Sequence, residues 1–223
     1  INMAKKKKQK QAKKNTQPAP KATLGKTPPN IHRRIGWFLF ALAAVLYANT
    51  LYHGYAFDDS IVITDNSFTK NGFAGIPDLM TRDFFEGIYG DQGMELSGGR
   101  YRPLSLVTFA IEYEFFGRNP QLSHAINILR YALTAMFLYH VLILLLGGLR
   151  FGEVTALIAS LIFVTHPTHT EVVANIKSRD EILALLLLLG AFYSLIKLAK
   201  APKTAPKWLL LGGLSFFLAM LSK

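Results

Sequence analysis

The sequence of 223 residues contains no cysteine, so it offers neither a disulfide framework nor a thiolate for catalysis or metal binding. Acidic residues are absent from the first 34 positions, although eleven lysines and arginines lie there. The remaining 14 basic residues are matched by 14 acids, so the net charge of +11 belongs to this amino-terminal segment. Such a basic run can bind nucleic acid or anionic lipid, but we favour a role in fixing the membrane orientation and therefore expect no nucleic-acid partner.

Residues 1–34 are mainly Lys, Gln, Ala and Pro and show almost no apolar periodicity. Such a segment buries too little apolar surface to offset the loss of chain entropy, so we predict a disordered tail. Its positive charge predicts a cytoplasmic location. A cleavable signal peptide is not expected, since the first apolar run starts late and no small-residue cleavage pattern follows it.

Residues 35–223 are rich in apolar side chains, and the whole chain is 51% hydrophobic and 12% aromatic with a mean hydropathy of +0.25. This composition excludes an ordinary soluble domain and predicts an all-α membrane protein, a multi-span helical bundle. The expected spans cover residues 35–52, 125–146, 151–165, 182–198 and 208–221. Arg150 and the lysines between the last two spans lie on the tail's side, as the positive-inside rule requires. Since residue 223 stands within an apolar run, we expect a longer chain.

A long extracytoplasmic loop, residues 53–123, follows the first expected span, and its aromatic content argues against disorder. Residues 76–87 alternate apolar and charged side chains, which predicts a short interfacial helix. Pro103 at a first helical position and Gly117 as a stop predict a second one. Its apolar stripe would consist of Leu104, Val107, Ile111 and Phe115, with Glu112 and Glu114 off the stripe. We therefore expect this helix to lie along the membrane surface, with a true span as the alternative.

Asp58 and Asp59 directly follow the first span, at the expected boundary between lipid and water. Two adjacent carboxylates can act as a general base toward a hydroxyl, hold Mg²⁺ or Mn²⁺ through their oxygens, or divide these roles. The structural alternative is a solvated turn at the end of a helix.

Arg100, Tyr101 and Arg102 precede the helix expected at Pro103. Guanidinium groups suit bidentate capture of a phosphate, and a helix N-terminus adds a favourable dipole. Alternatively, the two arginines extend toward lipid headgroups.

A further polar cluster follows the third span and is predicted to form the rim of a substrate cavity with residues from the outer end of the second span. Its members are His166, His169, Glu171, Arg179 and Asp180, together with His124 and Asn127. The histidines lack the i, i+4 spacing of a zinc protease, so a zinc site is weakly indicated. The alternative is a set of satisfied structural polar groups beside helix-breaking and capping residues.

Several short motifs, in matching order over residues 35–223, resemble the transmembrane and tetratricopeptide-repeat proteins. They are Phe57-Asp58-Asp59 with Ile61, Asp65 and Asn66, then Tyr101-Arg102-Pro103-Leu104, Phe116-Gly117, His124 with Asn127, His166-Pro167 with His169-Thr170-Glu171, and Leu221-Ser222-Lys223.

The resemblance implies the amino-terminal part of a type-C glycosyltransferase fold, similar to protein O-mannosyltransferases, and a downstream repeat domain. It implies that Asp58 and Asp59 lie in the catalytic loop and that Arg102 contacts a lipid phosphate. Arg100, Tyr101 and Lys223 are further candidates for binding the donor phosphate. Tyr131 is a departure, since the family often has a second histidine there.

The favoured hypothesis is a membrane enzyme that moves a sugar, such as mannose, from a polyprenyl- or dolichyl-phosphate carrier to a hydroxyl group. The expected partners are membrane lipid, the lipid-linked sugar and an acceptor protein, with Mg²⁺ or Mn²⁺ as the candidate cofactor. The site would face the extracytoplasmic side of a bacterial plasma (inner) membrane or a eukaryotic endoplasmic reticulum membrane.

Two other functions are compatible with parts of the sequence. A transporter would place charges along several spans, whereas these charges cluster at one end. A non-catalytic membrane anchor would tolerate substitutions of the carboxylates. Five spans alone are not expected to enclose a complete donor cavity.

Overall fold

The computed structural model describes residues 28–56, 58–92, 95, 101–200 and 205–223. Within these ranges the chain is helical, without a strand, which confirms the prediction of an all-α protein. The helices of 14 or more residues are labelled α1 (Pro29–Tyr47), α2 (Pro103–Phe116), α3 (Pro120–Leu146), α4 (Gly152–Thr165), α5 (Arg179–Lys200) and α6 (Ala205–Ser222). Most of the predicted tail lies outside the described residues.

Among the described residues, four helical segments are long and apolar enough to cross a membrane: Pro29–Tyr52, Pro120–Leu146, Ile176–Lys200 and Ala205–Ser222. Large apolar side chains such as Val45 and Leu210 point outward and are 73% and 71% exposed. Outward apolar surface on helices of this length is typical of a membrane protein. The sequence predicts a short span at helix α4. This helix is too short to be counted among the four membrane-spanning candidates, since 14 residues extend only about 21 Å.

The helices that carry the apolar core pack through small residues. Helix α3 contacts α1, α4 and α5, and α5 contacts α6. Ala43 of α1, Ala132 and Ala135 of α3, and Ala156 of α4 are completely buried. Small side chains at these positions let neighbouring helix backbones approach closely, as in other membrane helix bundles.

The loop between α1 and α2 is folded onto α2 around a second apolar core, which includes Val62, Leu79, Phe84, Leu106 and Phe109. The single helix predicted over residues 76–87 is wrong, because two short helices, Ile76–Thr81 and Glu86–Tyr89, occupy this stretch. The break occurs where the Asp83 side chain accepts a hydrogen bond from the Phe85 N–H at 3.0 Å. An aspartate that bonds to nearby backbone competes with helix continuation.

Helix α2 begins at Pro103 and ends before Gly117, whose positive φ of 58° stops the helix. Its buried face differs from the predicted stripe. Glu112 is only 8% exposed, whereas Phe115 is 65% exposed. Glu112 turns inward toward a buried arginine of α5, whereas Ile111 and Phe115 of the predicted stripe face outward. The location of this helix along the membrane surface stays a prediction.

Candidate functional site

The site is built around residues 175–181, which follow the short helix His169–Ala174 and include the first turn of α5. They are called the 175–181 segment below. The Asn175 side chain accepts a hydrogen bond from the Lys177 N–H at 3.1 Å and so starts a single 3₁₀ turn. Ile176 is fully buried and anchors this turn in the second core. The polar side chains that follow are thereby fixed against three other parts of the chain.

Asp59 is fully buried and joins the 175–181 segment to the loop after α1. Its Oδ2 accepts the Ala56 N–H at 2.7 Å, and its Oδ1 accepts the Lys177 N–H at 2.8 Å. Burial raises the pKa of Asp59, while the two backbone hydrogen bonds act in the opposite direction. Because both oxygens bind the protein backbone, Asp59 has a positioning role in this arrangement.

Asp58 differs from its neighbour in exposure and in partner. Its side chain is 42% exposed, and its Oδ2 lies 3.5 Å from the Nζ of Lys177. An exposed carboxylate can receive a proton from a hydroxyl that approaches from solvent.

The predicted cation site at Asp58 and Asp59 does not fit this geometry. Both Asp59 oxygens accept backbone N–H groups, and Asp58 already faces the Lys177 ammonium. A divalent cation chelated by both carboxylates would lie close to the Lys177 ammonium and to the two N–H donors, whose positive charge repels it. In the described ranges, no group of three or more metal-ligating side chains could hold an ion.

Arg179 lies completely buried two residues after Lys177. Its Nη1 is 2.8 Å from Oε2 of Glu112, and its Nε donates to Oδ1 of Asn127 at 2.9 Å. The guanidinium also lies 4.0 Å from the centre of the Phe109 ring. A buried charge is stable only with such compensation, so this network fixes the start of α5 against α2 and α3.

Four of the predicted rim residues do not line an open cavity. Arg179, Asp180, His124 and Asn127 are at most 5% exposed. Arg179 donates a hydrogen bond to Asn127, and His124 Nε2 lies 3.4 Å from the Gly54 carbonyl. Most of their polar atoms contact other parts of the protein, so in this structure these four residues support the loop and do not form the predicted cavity rim.

Arg102 lies immediately before α2 and contacts the same segment. Its Nη1 is 2.7 Å from Oδ2 of Asp180, with the arginine side chain 23% exposed. Tyr101 donates its hydroxyl to the Met80 carbonyl at 2.6 Å, and Lys223 pairs with Glu181. Arg100 lies outside the described residues. The structure therefore brings Arg102 and Asp58 to partners only three residues apart, Asp180 and Lys177.

The remaining rim candidates form a separate group. His169 Nδ1 lies 2.8 Å from the Tyr131 hydroxyl and 2.6 Å from the Phe163 carbonyl, so it joins α3 and α4. His166 is exposed beside Thr168, and Glu171 is exposed on the following short helix. Within the described part of the chain, none of their hydrogen bonds joins them to Asp58 or Arg102.

Sequence reasoning gave no site role to Glu112 or Lys177. A carboxylate in the largely apolar run of α2 is a signal for a buried partner, because an isolated buried charge is unstable. Lys177 is the only lysine between residues 71 and 196, and it stands among the polar residues of the predicted rim. A single lysine at this position could have indicated a specific contact with an acidic group.

Known proteins resemble this chain in its membrane-spanning part. Residues 109–223 match the family of dolichyl-phosphate-mannose-protein mannosyltransferases. The protein O-mannosyl-transferase TMTC3 of Mus musculus is 30% identical over 170 residues, which cover 76% of this chain and 17% of that protein. The Drosophila melanogaster protein O-mannosyl-transferase Tmtc1 is 32% identical over 69% of this chain and 17% of its own length.

A third relative, the Homo sapiens protein O-mannosyl-transferase TMTC4, is 32% identical over 70% of this chain and 22% of that protein. The chain thus spans about a fifth of the length of the relatives it matches. No solved structure matches it.

Proposed function

Because the chain belongs to the dolichyl-phosphate-mannose-protein mannosyltransferase family, we propose that it forms the amino-terminal membrane part of a protein O-mannosyltransferase. The donor is mannose linked to a dolichyl- or polyprenyl-phosphate, and the acceptor is a protein hydroxyl. Since the relatives are much longer, the activity is proposed for the full-length protein.

The observation that carries this proposal is that an exposed carboxylate, Asp58, and two cations, Lys177 and Arg102, lie at or against one short segment. Asp58 faces Lys177, and Arg102 faces Asp180 three residues further on. Transfer of a sugar from a lipid phosphate needs a base for the acceptor hydroxyl and positive charge for the departing phosphate. Both are present in the 175–181 segment and its partners.

Asp58 is the proposed general base. It removes the proton from the acceptor hydroxyl while the acceptor oxygen attacks C1 of the sugar. Asp59 is less suited to this step, because it has no exposed surface and both oxygens accept backbone N–H groups. Its proposed role is to hold the backbone of Asp58 next to the backbone of Lys177.

Arg102 is the proposed ligand of the donor phosphate. Its guanidinium has five N–H donors, and the contact with Asp180 uses only Nη1. The unused donors can bind phosphate oxygens without breaking the ion pair. Arg100, Tyr101 and Lys223 stay secondary candidates on the strength of the sequence.

The proposed orientation places the amino terminus in the cytoplasm and the site on the extracytoplasmic face. The eleven basic residues of the tail support it, since positive segments are retained inside. The membrane is the plasma (inner) membrane in a bacterium or the endoplasmic reticulum membrane in a eukaryote.

The test uses the purified full-length protein, an acceptor protein and two donors matched in their sugar. Mannose linked to dolichyl phosphate should be transferred to serine or threonine hydroxyls, whereas nucleotide-linked mannose should not. Transfer from the nucleotide donor alone would contradict the proposed donor. Solute flux in vesicles without any transfer from either donor would support a transporter instead.

A further inference from the structure

Lys177 contacts two adjacent carboxylates through different atoms. Its backbone N–H donates to Asp59 at 2.8 Å, whereas its side-chain Nζ lies 3.5 Å from Asp58. The backbone contact does not depend on the side chain. The backbone N–H of Lys177 therefore holds Asp59, whereas its side chain is 25% exposed and carries the ammonium group toward Asp58.

The ammonium of Lys177 is held less firmly than the guanidinium of Arg102, which contacts the same segment. Arg102 lies 2.7 Å from Asp180, whose side chain is only 7% exposed. Lys177 lies 3.5 Å from Asp58, whose side chain is 42% exposed. A long, solvent-exposed ion pair contributes little stability, so Lys177 can change partner at small cost.

The proposed transfer changes the charges around this ammonium. The bond between C1 of the sugar and the phosphate oxygen breaks, and the bond between the acceptor oxygen and C1 forms. The acceptor proton moves to Asp58, which loses its negative charge. The carrier phosphate leaves with one more negative charge than it had in the donor.

We propose that the Lys177 ammonium exchanges partners in this step, leaving Asp58 as it becomes protonated and binding the departing lipid phosphate. This inference rests on the proposed function and adds a second phosphate ligand to Arg102. It assigns Lys177 the stabilisation of the leaving group, and the attraction strengthens as the phosphate gains charge. The ligand chemistry is a phosphate monoester on a polyprenyl or dolichyl chain.

The experiment measures binding of dolichyl phosphate, without sugar, to the full-length protein in phosphatidylcholine nanodiscs. Lys177→Gln retains the backbone N–H that binds Asp59 and removes only the charge. We expect its affinity to fall on the order of tenfold, as for the loss of a charged hydrogen bond. Lys177→Arg should restore most of the affinity, and kcat for mannose transfer should fall in Lys177→Gln.

Lys70→Gln is the matched control, because Lys70 is exposed on the loop between α1 and α2 that carries Asp58, and its substitution removes the same charge. Its affinity should equal that of the wild type. Unchanged binding in Lys177→Gln, or an equal loss in Lys70→Gln, would overturn the inference. Binding that depends on Lys177 in a protein that transfers no sugar would contradict the proposed function and the partner exchange that rests on it, and would leave Lys177 only as a phosphate ligand.

Discussion

The carboxylate of Glu112 and the guanidinium of Arg179 lie 2.8 Å apart, with side chains that are 7% and 0% exposed. Arg179 stands between Lys177, which faces Asp58, and Asp180, which faces Arg102. The buried pair thus fixes the segment that carries the partners of both the proposed base and the proposed phosphate ligand. It couples the packing of α2 to the geometry of the site.

The first prediction concerns the stability of this pair. Glu112→Gln leaves Arg179 buried without its counter-charge, so the free energy of unfolding should fall by about 3–5 kcal/mol. Thermal unfolding of the full-length protein in detergent is the measurement.

Glu114→Gln is the control for that substitution. Glu114 is exposed on the same helix and accepts the Phe73 N–H at 3.1 Å, a bond that a glutamine oxygen can also accept. Its effect should stay within about 0.5 kcal/mol. Equal stability of the two variants would show that the buried pair does not hold the segment.

The second prediction concerns the pH dependence of stability. Burial raises the pKa of Asp59 above its ordinary value of 3.8, so the folded state binds this proton more tightly than the unfolded state. The stability contributed by Asp59 is therefore present below pH 3.8 and is lost as pH rises through the folded-state pKa. The free energy of unfolding of the wild type, relative to Asp59→Asn, should decrease from about pH 4 to pH 7. A relative increase over this range would mean that the backbone hydrogen bonds outweigh burial.

The helical architecture and the family could be predicted from the sequence, because long apolar runs and ordered motifs are local signals. Pro103 and Gly117 likewise mark the ends of α2 correctly. The burial of Glu112 could not be predicted, since it depends on Arg179, which is 67 positions away in the sequence. The match to O-mannosyltransferases confirms the resemblance.

The roles within the site were less accessible to sequence reasoning than its location. Asp58 and Asp59 are adjacent and chemically identical, and only the fold exposes one and buries the other. Arg179 and Asp180 likewise read as polar rim residues, because the sequence does not show which carboxylate or guanidinium they will meet.

A third prediction separates phosphate binding from the ion pair that positions Arg102. Arg102→Gln removes the cation, so KM for the lipid donor should rise about tenfold. Asp180→Asn keeps the cation, and an asparagine oxygen can still accept the Glu181 N–H that Asp180 accepts at 2.8 Å. KM for the donor should therefore stay level or fall. Similar increases in both variants would assign Arg102 a structural role only.

The fourth prediction concerns metal removal. Because both Asp59 oxygens are engaged and Asp58 faces Lys177, transfer should not require a cation chelated by this pair. We expect addition of EDTA to change the rate of mannose transfer by less than about twofold, since no site contact is lost. Loss of activity with EDTA, followed by recovery with Mg²⁺ or Mn²⁺, would contradict this expectation.

The most direct test of the proposed active site is the rate of mannose transfer from dolichyl phosphate by full-length Asp58→Asn. Loss of a general base should lower kcat by about 10²–10⁴-fold. Asp78→Asn, which changes a carboxylate of the same loop that is 40% exposed, should retain the wild-type rate. A wild-type rate in Asp58→Asn would contradict the account.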